Sequence, residues 1–505
     1  MPVSALGVSA RAVAWNTGIQ FIGRIVTTLT QALLVMVLAR AFVHHLGPVD
    51  GVREMGRYTT IMTFAVVFET FARFGFFATL VKEFSEREDQ ATEILARALP
   101  LRLLLAGVVA VAGTGLALVL RFEPVVTIGV ALLAVSTCWG AVFNTAMAYF
   151  QSRHLMVYPV AAEALGRLVA LLGMTVAALA GAPLLVVIAC SLLGSLVMAG
   201  VCVGFLRRFE PLGWCVDRTY WHALVAQAVP VGLIAVLSLA YGKASVILLA
   251  AMRGSFDVGV YGVAFKLTDV LVAFPAVLVG NLFPVLARAL DRRDRADAVV
   301  RRTVGALAAC AFPVVVGAFV LAAPLVRLTG GETYLAASAV SVFGTPVTAV
   351  HALRVLVWAV LAGGFAHLGL SLVILRGLQA RYLRVVAIVT LGSVAASYVL
   401  IPRYSYAGVS VVTVLTEVLM VATGWWMLTR SAEMRLAVVD VWKPGVAAAT
   451  MGAVVWPVQA LPLWAAVGVG VPLGALVYVA LLSALGGLPV ESLRGAIRRR
   501  PEPVA

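Results

Sequence analysis

Apolar stretches of about 20 residues recur along almost the whole chain, and no other feature restricts its folding so severely. A hydrocarbon layer about 30 Å thick is crossed by a helix of roughly that length, at 1.5 Å rise per residue. Of the 505 residues, 62% are hydrophobic and 12% charged, with a mean hydropathy of +1.03. Soluble domains carry about 25% charged residues, so no water-surrounded core could hide this much apolar side chain. The bilayer is the main solvent. Barrel strands would alternate over about 10 residues, which these runs do not. The chain therefore reads as an all-α integral membrane protein.

Fourteen spans are expected: 15–42, 56–80, 96–120, 125–150, 158–180, 183–206, 220–250, 257–287, 303–323, 351–375, 382–401, 406–428, 444–462 and 464–486. With the amino terminus inside, the inner loops collect most of the 38 Lys and Arg, including the run Arg288, Arg292, Arg293, Arg295, Arg301 and Arg302. The outer loops hold only Arg53, Arg57, Arg121, Arg253, Arg327 and Arg403. Cytoplasmic loops retain positive charge, and one missed helix would scramble this bias, so both termini are expected in the cytoplasm. The longest outer segment, 324–350, is expected to carry a short surface helix at most.

The formal charge of +15 is spread over every inner loop instead of forming one patch, which argues against a nucleic-acid partner. The cysteines Cys138, Cys190, Cys202, Cys215 and Cys310 have no CxxC spacing, and the six histidines form no chelating pattern, so no metal is expected. No Gly-x-x-x-x-Gly-Lys-Ser/Thr loop occurs, and no cofactor is expected.

The two halves share punctuation. Gly56-Arg57-Tyr58 opens the second span and Gly259-Val260-Tyr261 the eighth, 203 residues later. Gly75 with Leu80-Val81-Lys82 is echoed by Gly280 with Leu286-Ala287-Arg288, and the exit Tyr149 to Arg153 by Arg376 to Arg381. Three pairs in the same order predict two six-helix bundles, 1–210 and 211–430, with two further spans and a basic tail in 431–505. Pro275, Gly280 and Pro284 form the cluster expected to act as a hinge.

These pieces resemble the polysaccharide flippases of the multidrug/oligosaccharidyl-lipid/polysaccharide exporter superfamily. Gly75-Phe76-Phe77-Ala78-Thr79-Leu80-Val81-Lys82-Glu83-Phe84 is similar to the family's opening. Leu282-Phe283-Pro284-Val285-Leu286-Ala287-Arg288 and Leu400-Ile401-Pro402-Arg403-Tyr404, with Gly408 after it, add to the likeness over about 15–430. Tyr404-Ser405-Tyr406-Ala407-Gly408 departs from the Gly-rich turn that members commonly have there. The resemblance implies two V-shaped bundles, as in multidrug exporters of the superfamily. It also implies a bacterial or archaeal inner membrane, and movement of a lipid-linked oligosaccharide on an undecaprenyl-pyrophosphate carrier to the outer leaflet. A polysaccharide polymerase or ligase would be a partner.

Ionisable groups at bilayer depth cost a few kcal/mol on insertion scales and are functional suspects for that reason. They are Arg24, Glu69, Arg73, Glu163, Arg167, Lys243, Lys266, Asp269, Arg354 and Glu417. Glu69 and Arg73, like Glu163 and Arg167, stand four apart on one helix, where side chains meet, so structural ion pairing competes with a coupling role. Arg24, Lys243 and Lys266 lie in spans one, seven and eight, which line the central cavity in the resembled family. With Arg354 they are the candidate ligands for a pyrophosphate, which Arg grips by a fork of donors and Lys by a point charge. Asp269 and Glu417 join the ion pairs as candidates for coupling.

Three other functions compete. The outer loops hold few carboxylates, chiefly Asp50, Glu54, Glu123, Asp257 and Glu332, with no Asp-x-Asp, so an enzyme is not expected. A small-molecule or multidrug exporter of the same superfamily would share the twelve-helix core without the two last spans. A lipid II flippase would suit Arg24 as well.

Overall fold

A computed structural model describes residues 30–290, 293–431 and 441–486, and in it the apolar runs are helices. The first are α1 (Thr30–Leu46), α2 (Pro48–Arg73), α3 (Phe76–Glu86), α4 (Ala91–Val119) and α5 (Pro124–Ser152). There follow α6 (Val157–Leu179), α7 (Leu184–Leu206), α8 (Arg218–Arg253), α9 (Ser255–Leu290) and α10 (Arg293–Val320). After α11 (Ala322–Gly330) and α12 (Thr333–Ala336) comes an antiparallel hairpin of β1 (Val340–Val342) and β2 (Thr345–Val347). The chain continues as α13 (Ala349–Leu375), α14 (Gln379–Ser431), α15 (Trp442–Val455) and α16 (Leu463–Ala484). A helix satisfies every backbone N–H and C=O within itself, as lipid demands. Pro48 and Pro124 stand in first turns, where a missing N–H has no intrahelical partner to lose, and Asp217 caps α8 by accepting from Tyr220 N at 3.0 Å.

The class is the expected one, a multi-span membrane protein built almost wholly of helices. Ten helices among the described residues are long and apolar enough to cross a bilayer, so the count of fourteen stays an expectation of hydropathy. One of the ten, Ala380–Arg430, covers two expected spans, and α14 is non-helical at Ser405 (φ 46°, ψ −132°), between 382–401 and 406–428.

Two local expectations are corrected. The second span is broken: α2 ends at Arg73 and α3 starts at Phe76, with Gly75 left-handed at φ 76°, a conformation glycine adopts without a Cβ clash. Conversely, α9 runs as one unbroken helix past Pro275, so the expected hinge there stays a proposal. The segment 324–350 carries the end of α11, then α12 and the hairpin, because Val340, Val342 and Val347 alternate with polar residues around a Phe343-Gly344 turn of positive φ.

The described residues form two units. Unit 1 comprises 30–266, Thr329–Ala349 and Val386–Val412; unit 2 comprises Leu267–Leu328, Val350–Val385 and 413–486. In unit 1, α4 packs on α5 and α6 on α7, while α2 lies against α5, α8 and α4. Gly166 and Gly194 let α6 and α7 approach until a Cβ on either would stand 2.6 Å from the other's carbonyl oxygen, the small-residue packing usual in membranes. Aromatic rings fill the core where α3, α5, α6 and α7 meet, with Phe84, Tyr149, Phe150, Tyr158 and Phe205 in successive contact at 5.2–5.8 Å. Unit 2 has a core where α10 packs on α15 and α16, built on Val320, Leu321, Met451, Val455 and Tyr478.

The paired motifs of the two halves stand as follows. Gly56 of α2 and Gly259 of α9 lie against each other's helix backbone. The exits of α5 and α13 close alike: Leu155 N donates to Phe150 O at 2.8 Å and Leu378 N to Val373 O at 3.0 Å, with His154 (φ 59°) and Gly377 (φ 70°) left-handed just before. The third pair differs, since Gly75 sits in a helix break and Gly280 inside a helix.

Candidate functional site

In unit 1, α1, α8 and the first turns of α9 gather cations and aromatic rings. Lys243 Nζ of α8 stands 4.4 Å from the Phe265 ring centroid, and Phe265 stacks on Tyr261 at 5.3 Å. The next residue on α9, Lys266, donates to Gln31 Oε1 of α1 at 2.9 Å. A ring face attracts a cation through its quadrupole, which fixes where the Lys243 ammonium stands. Arg24 lies outside the described residues.

On α2, Arg73 donates to Glu69 at 2.6 Å, and the two side chains are 51% and 54% exposed. Arg73 is the last residue of α2. Behind it lies Arg102 of α4, a cation absent from the sequence-based set. It is 1% exposed, donates to the Arg73 carbonyl at 3.3 Å and lies 5.3 Å from the Phe76 ring. Its Nε and Nη2 have no acceptor among the described residues, so it serves the broken end of α2. Its signal was plain: an arginine six residues into the span 96–120.

The other candidates stand elsewhere. Arg167 donates to Glu163 at 2.6 Å on α6, which packs on α7. In unit 2, Asp269 is exposed, and Glu417 of α14 approaches Gly363 of α13 so closely that a Cβ there would be 3.4 Å from its Oε2. Arg354 of α13 lies between the rings of Phe319 and Trp456.

Groups that the sequence left in outer loops form a second polar cluster in unit 1. Arg57 donates to Glu54 and to Glu123, each at 2.7 Å, and Ser255 at the start of α9 donates to Glu123 at 2.8 Å. Arg253 donates to the buried Asp257 at 3.0 Å, and Ser405 at the bend of α14 donates to the same carboxylate. Among the described residues no group of three His, Cys, Asp or Glu side chains could hold a metal ion. The first cluster places two cations beside two stacked aromatic rings.

The model of a family described as polysaccharide biosynthesis protein matches residues 51–340, more than half of the chain. Among solved structures, the lipid II flippase MurJ in an inward-closed conformation aligns with a TM-score of 0.75 at 12% identity, covering 94% of this chain and 99% of that one. An inward-facing multidrug-resistance MATE family transporter aligns at 0.58 and 14% identity, covering 81% of this chain and 98% of its own. A MOP superfamily transporter from Pyrococcus furiosus aligns at 0.52 and 15% identity, over 80% of this chain and 95% of its own. At such identities the likeness is one of fold. No curated protein sequence matches.

Proposed function

The chain belongs to the polysaccharide biosynthesis protein family, and we propose that it is a flippase moving an undecaprenyl-pyrophosphate-linked oligosaccharide from the cytoplasmic to the outer leaflet. The observation that supports this reading is the cationic, aromatic-lined cluster of Lys243, Phe265 and Lys266 on two apolar helices. Away from bulk water a pyrophosphate is drawn to such cations strongly, and ring faces suit the apolar faces of sugars. Arg24 belongs to the same set, as does Arg354, which stands in unit 2. Glu69, Arg73, Glu163, Arg167, Asp269 and Glu417 serve as ion pairs or as the coupling to a membrane potential or ion gradient.

In this reading the halves 1–210 and 211–430 alternate between inward and outward access, and 431–505 adds a further pair of spans with a basic tail. The protein sits in a bacterial or archaeal inner membrane with both termini in the cytoplasm, performs no chemistry on its cargo, and hands it to a polymerase or ligase. A second reading, flipping of lipid II, is favoured by the likeness to MurJ, which uses nearly the whole of both chains, whereas the multidrug transporter leaves about a fifth of this one unmatched.

Translocation of a fluorescent undecaprenyl-pyrophosphate-linked oligosaccharide in proteoliposomes tests the proposal. Wild type is expected to transfer it between leaflets, and Arg24→Ala plus Lys243→Ala to lose transfer while still folding. Transfer of lipid II alone supports the second reading. Efflux of cationic drugs, with no lipid-linked sugar moved, overturns both.

A further inference from the structure

The ends of three elements of unit 2 meet around one arginine. Phe319 lies at the end of α10, Arg354 in the second turn of α13, and Trp456 directly after α15. The Arg354 guanidinium stands 5.6 Å from the Phe319 ring centroid and 5.7 Å from that of Trp456. Trp358, one turn further along α13, lies 6.2 Å from Phe319. The rings hold the cation without taking its hydrogen-bond donors. Arg354 Nε has no acceptor, and no carboxylate pairs with the side chain among the described residues. A guanidinium offers five N–H groups in a fork that matches a phosphate, so this one is positioned and has donors to spare.

The surroundings decide which kind of phosphate. Trp456 is 47% exposed, Trp464 at the start of α16 73%, and Leu461 between them 42%. On a membrane protein such side chains face lipid, and tryptophans at helix ends mark the level of the head groups. In the topology expected from the sequence this is the outer end of unit 2. Free phosphate would have to shed its water to enter an apolar rim, whereas a phospholipid arrives at this level with acyl chains that cover Trp464 and Leu461. We propose that Arg354, held between Phe319 and Trp456, docks the phosphodiester of an anionic phospholipid. It gives the appended pair α15 and α16 a task, since Trp456 belongs to their connection.

Native mass spectrometry of the full chain counts bound lipids and titrates each. Wild type is expected to bind one phosphatidylglycerol about tenfold more tightly than phosphatidylcholine, whose phosphodiester is already offset by its own choline cation. Arg354→Gln is expected to lose that preference, and Arg354→Lys to keep part of it, because a point charge replaces a fork. Trp456→Leu retains the charge and is expected to loosen the same lipid, which keeps the test open if Arg354→Gln does not fold. Equal affinity of wild type for both lipids overturns the proposal, as does unchanged phosphatidylglycerol binding in both variants. Displacement of the lipid by millimolar inorganic phosphate also overturns it, in favour of a free-anion site.

Discussion

Gly56 and Gly259 hold each other's helices at backbone contact. A Cβ on Gly56 would lie 1.6 Å from the carbonyl oxygen of Ser255, and a Cβ on Gly259 would lie 2.0 Å from that of Val52. Ser255 and Val52 each precede the partner glycine by one helical turn, so α2 and α9 present the same step to one another. The two glycines that open matching Gly-x-Tyr motifs are thus the ones that touch.

No flexible side chain stands there to give way, so Gly56→Ala and Gly259→Ala are each expected to destabilise by about 2–3 kcal/mol or more. Gly107→Ala, in α4 with nothing within 4 Å of an added Cβ, is the control and should be neutral or slightly stabilising. Thermal unfolding of the purified protein in one detergent reads all three. A Gly56→Ala protein that melts with the wild type would remove the close crossing.

The bend in α14 gives a comparison in which one loss cancels. Ser405 has φ 46° and ψ −132°, a conformation that suits glycine, and its hydroxyl donates to the buried Asp257. Ser405→Ala and Ser405→Gly both lose the hydroxyl, but only glycine relieves the backbone. Ser405→Gly should therefore be the more stable of the two by about 1 kcal/mol, in denaturant or thermal titration. The reverse order would mean that the segment is helical at 405.

Arg57 and Glu123 join α2 to the start of α5, and Ser255 extends the link to α9. Their side chains are 25% and 38% exposed, so solvent screens the pair, and a double-mutant cycle with Arg57→Ala and Glu123→Ala should give a coupling of about 0.5–1 kcal/mol. Arg57→Ala alone should cost more than Glu123→Gln, because it strands two carboxylates, Glu54 and Glu123. A coupling of zero would reduce the cluster to independent surface charges.

What was legible in the sequence follows from which forces act locally. Hydropathy located the helices, since any long apolar run must become one in lipid. The Gly-x-Tyr pair picked out two glycines that meet, because a close backbone crossing admits only glycine. Charge pairs four apart formed as expected at Glu69 with Arg73 and Glu163 with Arg167. Contacts between distant segments were hidden: nothing near Glu123 in the chain points to Ser255, and nothing near Arg354 points to Trp456. The break at Phe74-Gly75 was missed for a related reason, since a hinge was sought at prolines, yet Pro275 fits inside α9 where Gly364 leaves room for its ring.

Lys243 provides the last and sharpest test, because its contact with Phe265 has a purely structural explanation as well. If the lysine only packs on the ring, Lys243→Gln and Phe265→Leu should lower the melting temperature alike, and transport per folded molecule should be unchanged in both. If it meets the pyrophosphate, Lys243→Gln should cut transport of the lipid-linked oligosaccharide about tenfold, the scale of one charge-assisted contact, with little change in melting. Lys243→Arg should then recover much of the rate, and Phe265→Leu should fall between, since the ring positions the charge without replacing it. Proteoliposome transfer rates, normalised to folded protein, separate the two cases, and equal rates for wild type and Lys243→Gln would remove this lysine from the cargo site.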